Sequence, residues 1–374
     1  KENEELWISS SLIKSKHFTL NLEKKILPFI SRNEHGKSSN YIDFHKKNLV
    51  LVTGVGTTYF ITMNNLINDG EKNYQEIENN LNKVITSDHF WSIDKSSKYS
   101  EEMSVKDTLI HNNIIYVSYS REVTEECFNT SIVKANFNYI FLNFKNYFTY
   151  QDCHSGKGKK TVFGRGGGGR IYPYKDNKLL FTIGDTGSLR AQEDDFLLGK
   201  IIEIETTSAK HKIISKGHRN QQGLLYLVEK DIILSSEHGS KGGGELNLIK
   251  RDKNYGWPIS SYGKGPQLYQ NHSMHGFEEP LHYFIPSVAP SEIILVPKKF
   301  STKWQNNIIL TTLSGTFGYG KSIYRFEMNK DFNMIQNIEQ IKIGDRIRDI
   351  KYNDTNNLFV LVLENSNSIG LLYK

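Results

Sequence analysis

Two short segments of this 374-residue chain concentrate side chains that bind anions. The first is Gly217-His-Arg-Asn-Gln-Gln-Gly-Leu224, which places a guanidinium, an imidazole and several amides between glycines. Arginine supplies a fork of donors and the amides supply directional ones, so this composition suits a planar ligand with several charged oxygens. A hydrogen-bonded turn that binds no ligand is the simpler alternative.

The second anion-binding segment is Gly344-Asp-Arg-Ile-Arg-Asp349. Residues two positions apart in a strand share one face, so Arg346 and Arg348 are expected to point the same way. Two neighbouring cations repel each other unless negative charge lies between them. Either a bound anion supplies that charge, or the carboxylates of Asp345 and Asp349 supply it.

A third segment, Ser236-Glu-His-Gly-Ser-Lys-Gly-Gly-Gly-Glu-Leu-Asn247, is rich in glycine and carries carboxylates. Its glycines leave backbone carbonyls open, and hard cations such as Ca²⁺ prefer oxygen ligands of this kind. A flexible surface loop that binds nothing is the alternative, because glycine-rich segments are commonly of that type. Asn254-Tyr-Gly-Trp-Pro258 follows closely.

A recurring sequence pattern, here called a phrase, indicates which elements position these segments. In each copy a polar turn precedes about four apolar residues, after which small or hydroxyl-bearing residues lead into a loop. Short β-branched runs bounded by turn residues are typical of fully buried strands. The copies are Asn48–Gly54, Asn113–Ser118, Lys178–Gly184, Asp231–Ser236, Asn307–Thr312 and Asn357–Val362.

The number and spacing of these copies predict an all-β fold, a six-bladed β-propeller with four antiparallel strands in each blade. A β-sandwich is the alternative, but its strands would follow one another at closer and more even intervals. In a propeller the loops that leave the innermost strands converge on the mouth of a central channel. The residues that flank each phrase are therefore the first candidates for function.

The whole chain, residues 1–374, is interpreted as a single propeller domain. Propellers often close their ring by pairing N- and C-terminal strands in one blade, and Leu6–Ile8 or Phe18–Leu22 is expected to supply the N-terminal strand. The polar stretch at 69–107 is interpreted as an insertion between blades, with a helix expected around Tyr74–Val84.

The composition argues against several classes of function. The net charge of +6 comes from 47 basic and 41 acidic residues, without a Lys/Arg block long enough to bind nucleic acid. A basic pocket for a small anion fits this balance. No apolar run approaches the roughly 18 residues needed to span a membrane. The two cysteines, Cys127 and Cys153, form either one disulfide or two separate thiols.

In this order, the three segments resemble those of the soluble PQQ-dependent sugar dehydrogenases, the glucose/sorbosone and aldose dehydrogenase family. Residues 217–223 match its Gly-His-Arg-Asn-Pro-Gln-Gly motif except at Gln221, and Pro286–Pro290 resembles its Pro-(Ser/Thr)-x-Ala-Pro segment. The loop at 236–247, the Asn-Tyr-Gly-Trp-Pro segment and the Arg-x-Arg-Asp motif at 346–349 match as well.

The resemblance implies a propeller that binds pyrroloquinoline quinone (PQQ) over the channel mouth and oxidises a sugar at C1 by hydride transfer to the quinone. It implies that Ca²⁺ bridges the quinone and the backbone carbonyls of Gly239 and Ser240. The residues that it assigns to the cofactor are Arg219, Asn220, Ser287, Arg346 and Arg348. It also implies export to the periplasm or the cell exterior, with which a disulfide would agree.

The sequence departs from the family where the catalytic His, the general base, should stand, because Arg165 or Gly166 occupies that position. Arginine stays protonated and glycine has no side chain, so neither can accept the hydroxyl proton. Ser314 replaces a Lys that contacts the quinone, and Ile285 replaces a Trp over the cofactor. Two hypotheses follow: a sugar dehydrogenase whose base comes from elsewhere, and a catalytically degenerate propeller that binds a ligand or a protein.

Overall fold

The computed structural model describes residues 9–27, 39–68, 73–92, 103–157, 166–263, 271–315 and 318–374. The described chain consists mainly of strands, which form six small antiparallel sheets. These sheets are the blades of a six-bladed β-propeller around a central channel, so the predicted fold is confirmed. Within the described residues, no helix is long and apolar enough to cross a membrane.

The elements are numbered in chain order. The strands are β1 (Ser9–Lys14), β2 (Thr19–Ile26), β3 (Asn40–His45), β4 (Asn48–Thr53), β5 (Thr58–Thr62), β6 (Gln75–Asn79), β7 (Val105–His111), β8 (Ile114–Thr124), β9 (Cys127–Asn136), β10 (Phe141–Leu142), β11 (Lys145–Phe148), β12 (His154–Ser155), β13 (Gly168–Tyr174), β14 (Lys178–Ile183), β15 (Lys200–Glu205), β16 (His211–Lys216), β17 (Gln221–Leu227), β18 (Ile232–Glu237), β19 (Gly244–Ile249), β20 (Lys253–Asn254), β21 (His282–Phe284), β22 (Pro290–Leu295), β23 (Asn307–Thr312), β24 (Ser322–Met328), β25 (Ile335–Lys342), β26 (Ile347–Asn353), β27 (Leu358–Leu363) and β28 (Ser368–Tyr373). The helices are α1 (Met63–Ile67), α2 (Leu81–Val84) and α3 (Asp88–Trp91), and 3₁₀ turns lie at Val228–Lys230, His272–His275 and Thr302–Trp304.

Each blade has a core of four antiparallel strands that follow one another outwards from the channel. From the innermost strand outwards, the blades are β3-β4-β5-β6, β7-β8-β9-β11, β13-β14-β15-β16, β17-β18-β19-β21, β22-β23-β24-β25 and β26-β27-β28-β2. Short strands extend several blades, because β1 pairs with β2, β10 with β6, β12 with β9 and β20 with β16.

The sixth blade closes the ring because its outer strand comes from the N-terminal part of the chain. Residues 21–26 of β2 pair antiparallel with β28. Leu20 and Leu22 are fully buried in the cluster that also contains Phe359. The structure therefore confirms the closing strand expected near Phe18–Leu22, whereas Leu6–Ile8 lies outside the described residues.

Each of the six apolar phrases forms the second strand of its blade rather than the innermost one: β4, β8, β14, β18, β23 and β27. A second strand is apolar throughout because neighbouring blades cover both of its faces. The innermost strands contact one another around the channel and carry charged side chains such as Asp107 and Arg170. The segment at 217–223 thus leads into innermost strand β17, and that at 344–349 into β26.

The helix expected around Tyr74–Val84 is largely absent from the described structure. Gln75–Asn79 is β6, which pairs with β5 as the outer strand of the first blade, and in this stretch only Leu81–Val84 is helical. The backbone of β6 satisfies its hydrogen bonds at the edge of β5, and Ile77 is fully buried. Pairing and burial therefore override the local polarity of the sequence.

The blades are held in place by apolar side chains packed between them. Val50 and Val52 of the first blade lie in the same buried cluster as Ile115 and Val117 of the second. Close packing of this kind transmits a displacement of one blade to the next, so it fixes the positions of the loops at the ends of each blade. The loops at the two ends of the channel therefore have defined positions.

Candidate cofactor site at the upper channel mouth

All of the segments that the sequence singles out lie at one end of the channel. The innermost strands begin at this end and the second strands finish there; we call it the upper mouth and the opposite end the lower mouth. The loops at 217–220, 238–243, 285–289 and 344–346 all flank strands at the upper mouth. Side chains that are distant in sequence therefore share one surface.

Arg346 and Arg348 share one carboxylate, that of Glu364. Arg346 Nε donates to Glu364 Oε2 at 2.9 Å, and Arg348 Nε donates to Glu364 Oε1 at 2.6 Å. Burial alone would raise the pKa of Glu364, but the two guanidinium groups lower it below its usual value. The two arginines do point the same way, and they share one carboxylate.

The alternative in which Asp345 and Asp349 neutralise these arginines is wrong. Asp345 Oδ2 is 3.2 Å from Lys24 Nζ and also accepts backbone hydrogen bonds. Asp349 turns into the channel, where it contacts Arg170 and accepts a hydrogen bond from the Ile42 N–H at 2.9 Å. Both aspartates therefore have partners other than the two arginines.

Arg219 is held at the mouth by carbonyls and an aromatic ring. Its Nη1 donates to the carbonyls of His238 and Gly239 at 3.1 and 3.0 Å. Its guanidinium lies 5.3 Å from the ring centroid of Trp257, within the range of a cation–π contact. The side chain is therefore held in one orientation while it remains partly open to solvent.

Asn220 and Gln222 connect the first anion-binding segment to the second. Asn220 Oδ1 accepts hydrogen bonds from the Gly168 N–H at 3.1 Å and from Gln222 Nε2 at 2.9 Å. Gln222 Oε1 in turn accepts from Arg348 Nη1 at 3.3 Å. Sequence reasoning gave Gln222 no role, yet it is the bridge between the two segments.

His238 is a further residue of the mouth that sequence reasoning left without a role. Burial, followed by the charges of Arg219, Arg348 and Arg346, lowers the pKa of His238 to about 3, so its imidazole is neutral. Its Nε2 has no hydrogen-bond partner among the described residues. Arg219 is bonded to the His238 carbonyl, and Arg348 reaches Gln222 beside it, so both guanidinium groups lie at the same mouth.

Gly239 and Ser240, the residues expected to bind calcium, lie in the loop between β18 and β19. The carbonyls of His238 and Gly239 converge on Arg219 Nη1, so they already face a positive charge. Ca²⁺ suits carbonyl oxygens, but an ion bound to Gly239 requires the guanidinium to turn away. The described part of the chain has no group of three or more acidic, His or Cys side chains that could hold a metal, so such a site depends on backbone oxygens.

At the family's position for the base, the structure describes Gly166, whereas Arg165 lies outside the described residues. The backbone of Gly166 is not left-handed, and a Cβ there would lie 3.3 Å from Thr186 Cα, a contact that a small shift relieves. Gly169, by contrast, has φ +111°, and a Cβ there would lie 2.4 Å from the Cβ of Lys106. A side chain at 166 therefore needs a shift of a few tenths of an ångström in the Thr186 backbone, whereas one at 169 meets a much closer contact and a left-handed backbone.

The remaining cofactor residue expected from the sequence, Ser287, lies in the loop before β22. It is partly exposed, and its carbonyl lies close to Gly315. Ile285 is 48% exposed and Ser314 is also exposed. The positions at which the family has a Trp and a Lys are therefore at the surface of the mouth, but they carry an aliphatic and a small polar side chain.

Arg170 blocks the channel beneath the upper mouth. Its Nη1 lies 2.9 Å from Glu292, 3.1 Å from Asp107 and 3.4 Å from Asp349, and the side chain is almost fully buried. Burial alone would lower its pKa, but the three carboxylates raise it, so the guanidinium stays charged. Its other N–H groups donate to backbone carbonyls of β17 and β26, the strands that carry the two anion-binding segments.

Cys127 and Cys153 form a disulfide, with their Cα atoms 5.5 Å apart. The bridge joins the upper end of β9 to the loop that contains β12, whose Ser155 pairs with Cys127. Of the two alternatives that the sequence left open, the structure therefore selects the disulfide.

Comparison with known proteins agrees with the fold and with the motifs. A sequence model described as Glucose / Sorbosone dehydrogenase matches residues 101–372. The aldose sugar dehydrogenase YliI of Escherichia coli is 26% identical over 222 residues, which cover 54% of this chain and 58% of that protein. An uncharacterised protein of Synechocystis is 29% identical over 303 residues, which cover 72% of this chain and 70% of that protein.

Solved structures support the same fold. A glucose dehydrogenase superposes with a TM-score of 0.70 at 20% identity, covering 91% of this chain and 96% of that one. The PQQ-bound aldose sugar dehydrogenase of Streptomyces coelicolor gives a TM-score of 0.63 at 19% identity, covering 94% and 98%. The molecule is thus a six-bladed propeller with a cluster of cations at one mouth. Because the family model matches well over half of its length, the chain belongs to the glucose/sorbosone dehydrogenase family.

Proposed function

We propose that the upper mouth binds PQQ and that the protein is an aldose dehydrogenase that uses this quinone together with calcium. The observation that carries the proposal is that loops of the upper mouth bring Arg219, Arg346 and Arg348 together, with Arg219 on the carbonyls of the 238–243 loop and Arg348 on Gln222. Arg346 and Arg348 lie side by side on the two oxygens of Glu364. PQQ is a flat tricarboxylate, and guanidinium forks match carboxylates in both charge and shape.

The chain's own residues would bind and orient the cofactor. Arg219, Asn220, Ser287, Arg346 and Arg348 would hold it, and the carbonyls of Gly239 and Ser240 would hold Ca²⁺ once Arg219 turns away. When bound, PQQ supplies the hydride acceptor for oxidation of a sugar at C1. Gln222 limits the positions open to Arg348, so that donor is preorganised.

The proton of the sugar hydroxyl needs an acceptor, and Gly166 offers none. General-base catalysis typically contributes about 10²- to 10⁴-fold to the rate. We therefore propose slow turnover, with the proton leaving to a group other than residue 166.

A second candidate function is a propeller that binds an anionic ligand without turnover. The specific observation that favours it is the position of the base, Arg165 or Gly166, because arginine stays protonated and Gly166 has no side chain. The first candidate predicts both binding and reduction of PQQ, and the second predicts that no quinone is reduced.

One titration separates the two candidates. PQQ is added to the purified protein with and without Ca²⁺, its absorbance is followed, and glucose and other aldoses are then supplied in excess. Binding followed by bleaching of the oxidised quinone supports the dehydrogenase. Binding without reduction by any aldose supports the second candidate, and failure to bind PQQ would overturn the dehydrogenase.

A matched pair of variants tests the residues assigned to the cofactor. Arg346→Gln is expected to weaken PQQ binding at least roughly tenfold, because it removes a charge-assisted hydrogen-bond donor at the mouth. Arg251→Gln is the control, because Arg251 pairs with Glu203 on the far side of the propeller. Equal weakening by the two substitutions would show that the effect is not specific to the mouth.

We further propose that the protein works in an oxidising compartment, the periplasm or the cell exterior. The disulfide between Cys127 and Cys153 supports this, because such bridges persist outside the reducing cytosol. Cell fractionation, followed by mass spectrometry of alkylated cysteines, tests it. Recovery of the protein in the cytosol with both thiols free would contradict the proposal.

A further inference from the structure

The lower mouth contains a second cavity, of about 320 Å³, that lies away from the cofactor site. Side chains from all six innermost strands line it, and Arg170 with its three carboxylate partners separates it from the upper mouth. Most of the lining is apolar, with Ile110, Leu225 and Ile294 among the walls. A cavity of this size, largely apolar with a few polar groups, is typical of a small-molecule site.

Two hydrogen-bond donors in this cavity are unused. Among the described residues, neither the Lys351 ammonium nor the Tyr172 hydroxyl has a hydrogen-bond partner, and no carboxylate lies within ion-pair distance of Lys351. Both residues line the same cavity, so a ligand in it can receive hydrogen bonds from both.

The acceptors in the same cavity are already occupied. Asp43 Oδ1 accepts from the Phe44 N–H at 2.8 Å, and Oδ2 accepts from the Ile110 N–H at 2.6 Å. Glu292 Oε1 accepts from two backbone N–H groups, and Oε2 pairs with Arg170. A ligand must therefore bring an acceptor and needs no donor of its own.

The electrostatics of the cavity disfavour an anionic acceptor. Arg170 and Lys351 lie among four carboxyl groups, those of Asp43, Asp107, Glu292 and Asp349. Burial raises the pKa of Asp43, of Glu292 and of Asp107, the last to about 7, so this part of the channel already resists negative charge and a ligand carboxylate would meet the same penalty. A ligand ammonium would face the Lys351 ammonium and find the carboxylate oxygens already bonded.

We propose that the lower cavity binds a small neutral molecule, an alcohol or carbonyl compound with an apolar body, whose oxygen accepts hydrogen bonds from Lys351 and Tyr172. Its apolar part contacts the isoleucine and leucine side chains of the walls. The site is independent of the cofactor site, because Arg170 closes the channel between them.

Three isosteric probes test the predicted charge preference. Benzyl alcohol, benzoate and benzylammonium are each titrated into the full-length protein and followed by saturation-transfer NMR. Benzyl alcohol is expected to bind roughly tenfold or more tightly than either ion, because only the ions add an unpaired charge to the buried site. Absence of transfer to the alcohol, or binding of either ion as tight as that of the alcohol, would overturn the proposal.

Substitutions then locate the binding site. Tyr172→Phe is expected to weaken benzyl alcohol binding by roughly three- to tenfold, the effect of losing one hydrogen bond, with little disturbance of packing. Tyr352→Phe is the matched control, because that residue lines the same cavity but its hydroxyl is already bonded to Asn357. Equal affinities in the two variants would contradict the site.

PQQ and Arg346→Gln are expected to leave alcohol binding unchanged, and competition by PQQ would assign the alcohol to the upper mouth instead.

Discussion

At the scale of single residues, the upper mouth has three arginines but no side chain at Gly166. Arg219 is bonded to the His238 carbonyl and Arg348 to Gln222, whereas Gly166, one of the two residues at the expected position of the base, presents only backbone. Binding an anion and moving a proton are separate tasks, and the proposed site has candidate residues for the first but no side chain at Gly166 for the second. Restoring a group that moves the proton therefore needs one substitution, provided that the backbone at that position accepts a side chain.

Gly166→His is expected to raise the rate of sugar oxidation by the PQQ-loaded protein about 10²- to 10⁴-fold, the usual contribution of a general base. The backbone permits it, because Gly166 is not left-handed and a Cβ would lie 3.3 Å from Thr186 Cα. The measurement is kcat with an aldose and an artificial electron acceptor, across a range of pH.

Gly166→Phe is the control for this substitution, since it adds a ring of similar size without a basic nitrogen. A pH profile that loses activity as the imidazole becomes protonated is expected for the His variant alone. If Gly166→His binds PQQ normally but is no faster than the Phe variant, the missing base is not what limits turnover.

Sequence predicted the orientation of Arg346 and Arg348 but not their partner. Alternation along a strand places them on one face, and the nearest carboxylates in sequence were the natural alternative. The same alternation turns Asp349 into the channel, and the actual partner, Glu364, comes from the end of the neighbouring strand β27. Partners that strand pairing brings together cannot be read from local spacing.

At the scale of elements, the sequence located strands well and assigned their places in the blades less well. The apolar phrases are strands, but second strands, because that position is covered on both faces. Gln75–Asn79 is polar enough to have been expected near a helix, yet it forms the outer strand of a blade at the edge of β5. Ile77 is the one fully buried residue of this strand, so its apolar pattern is too weak to recognise.

The disulfide stabilises one such element, the end of the β8–β9 hairpin. Cys127 and Cys153 are separated by 26 residues, and closing a loop of that length stabilises a fold by about 3 kcal/mol in the chain-entropy model. Replacing both cysteines by serine is therefore expected to lower the urea midpoint of unfolding clearly. Hydrogen exchange should also become faster at Ser155, which pairs with Cys127.

Reductant supplies the control for the cysteine variants. Cys127→Ser alone should lose as much stability as the double variant, and reduced wild-type protein should match both. A midpoint that does not change when the wild-type protein is reduced would contradict a stabilising role for the bridge.

At the scale of the whole molecule, one pairing decides whether six blades form a ring. β2 supplies the outer strand of a blade whose other three core strands come from the C-terminal end of the chain. The sequence predicted this closure because Phe18–Leu22 has the composition of a strand and an open ring would leave one blade incomplete. The length of the strand, through Ile26, follows from its pairing with β28 rather than from its own residues.

Leu22→Ala tests whether ring closure stabilises the entire propeller. Leu22 is fully buried among Phe359, Leu361 and Leu372, and removing such a side chain typically costs about 2–5 kcal/mol. Because the blades share their cores, we expect far-ultraviolet dichroism and tryptophan fluorescence to report one common transition at a lower urea concentration. Leu12→Ala on the outer strand β1 is the matched control, since Leu12 is 74% exposed and its loss should change stability by no more than about 0.5 kcal/mol. Separate transitions for the two probes in Leu22→Ala would mean that the sixth blade opens by itself and that the other blades do not depend on closure.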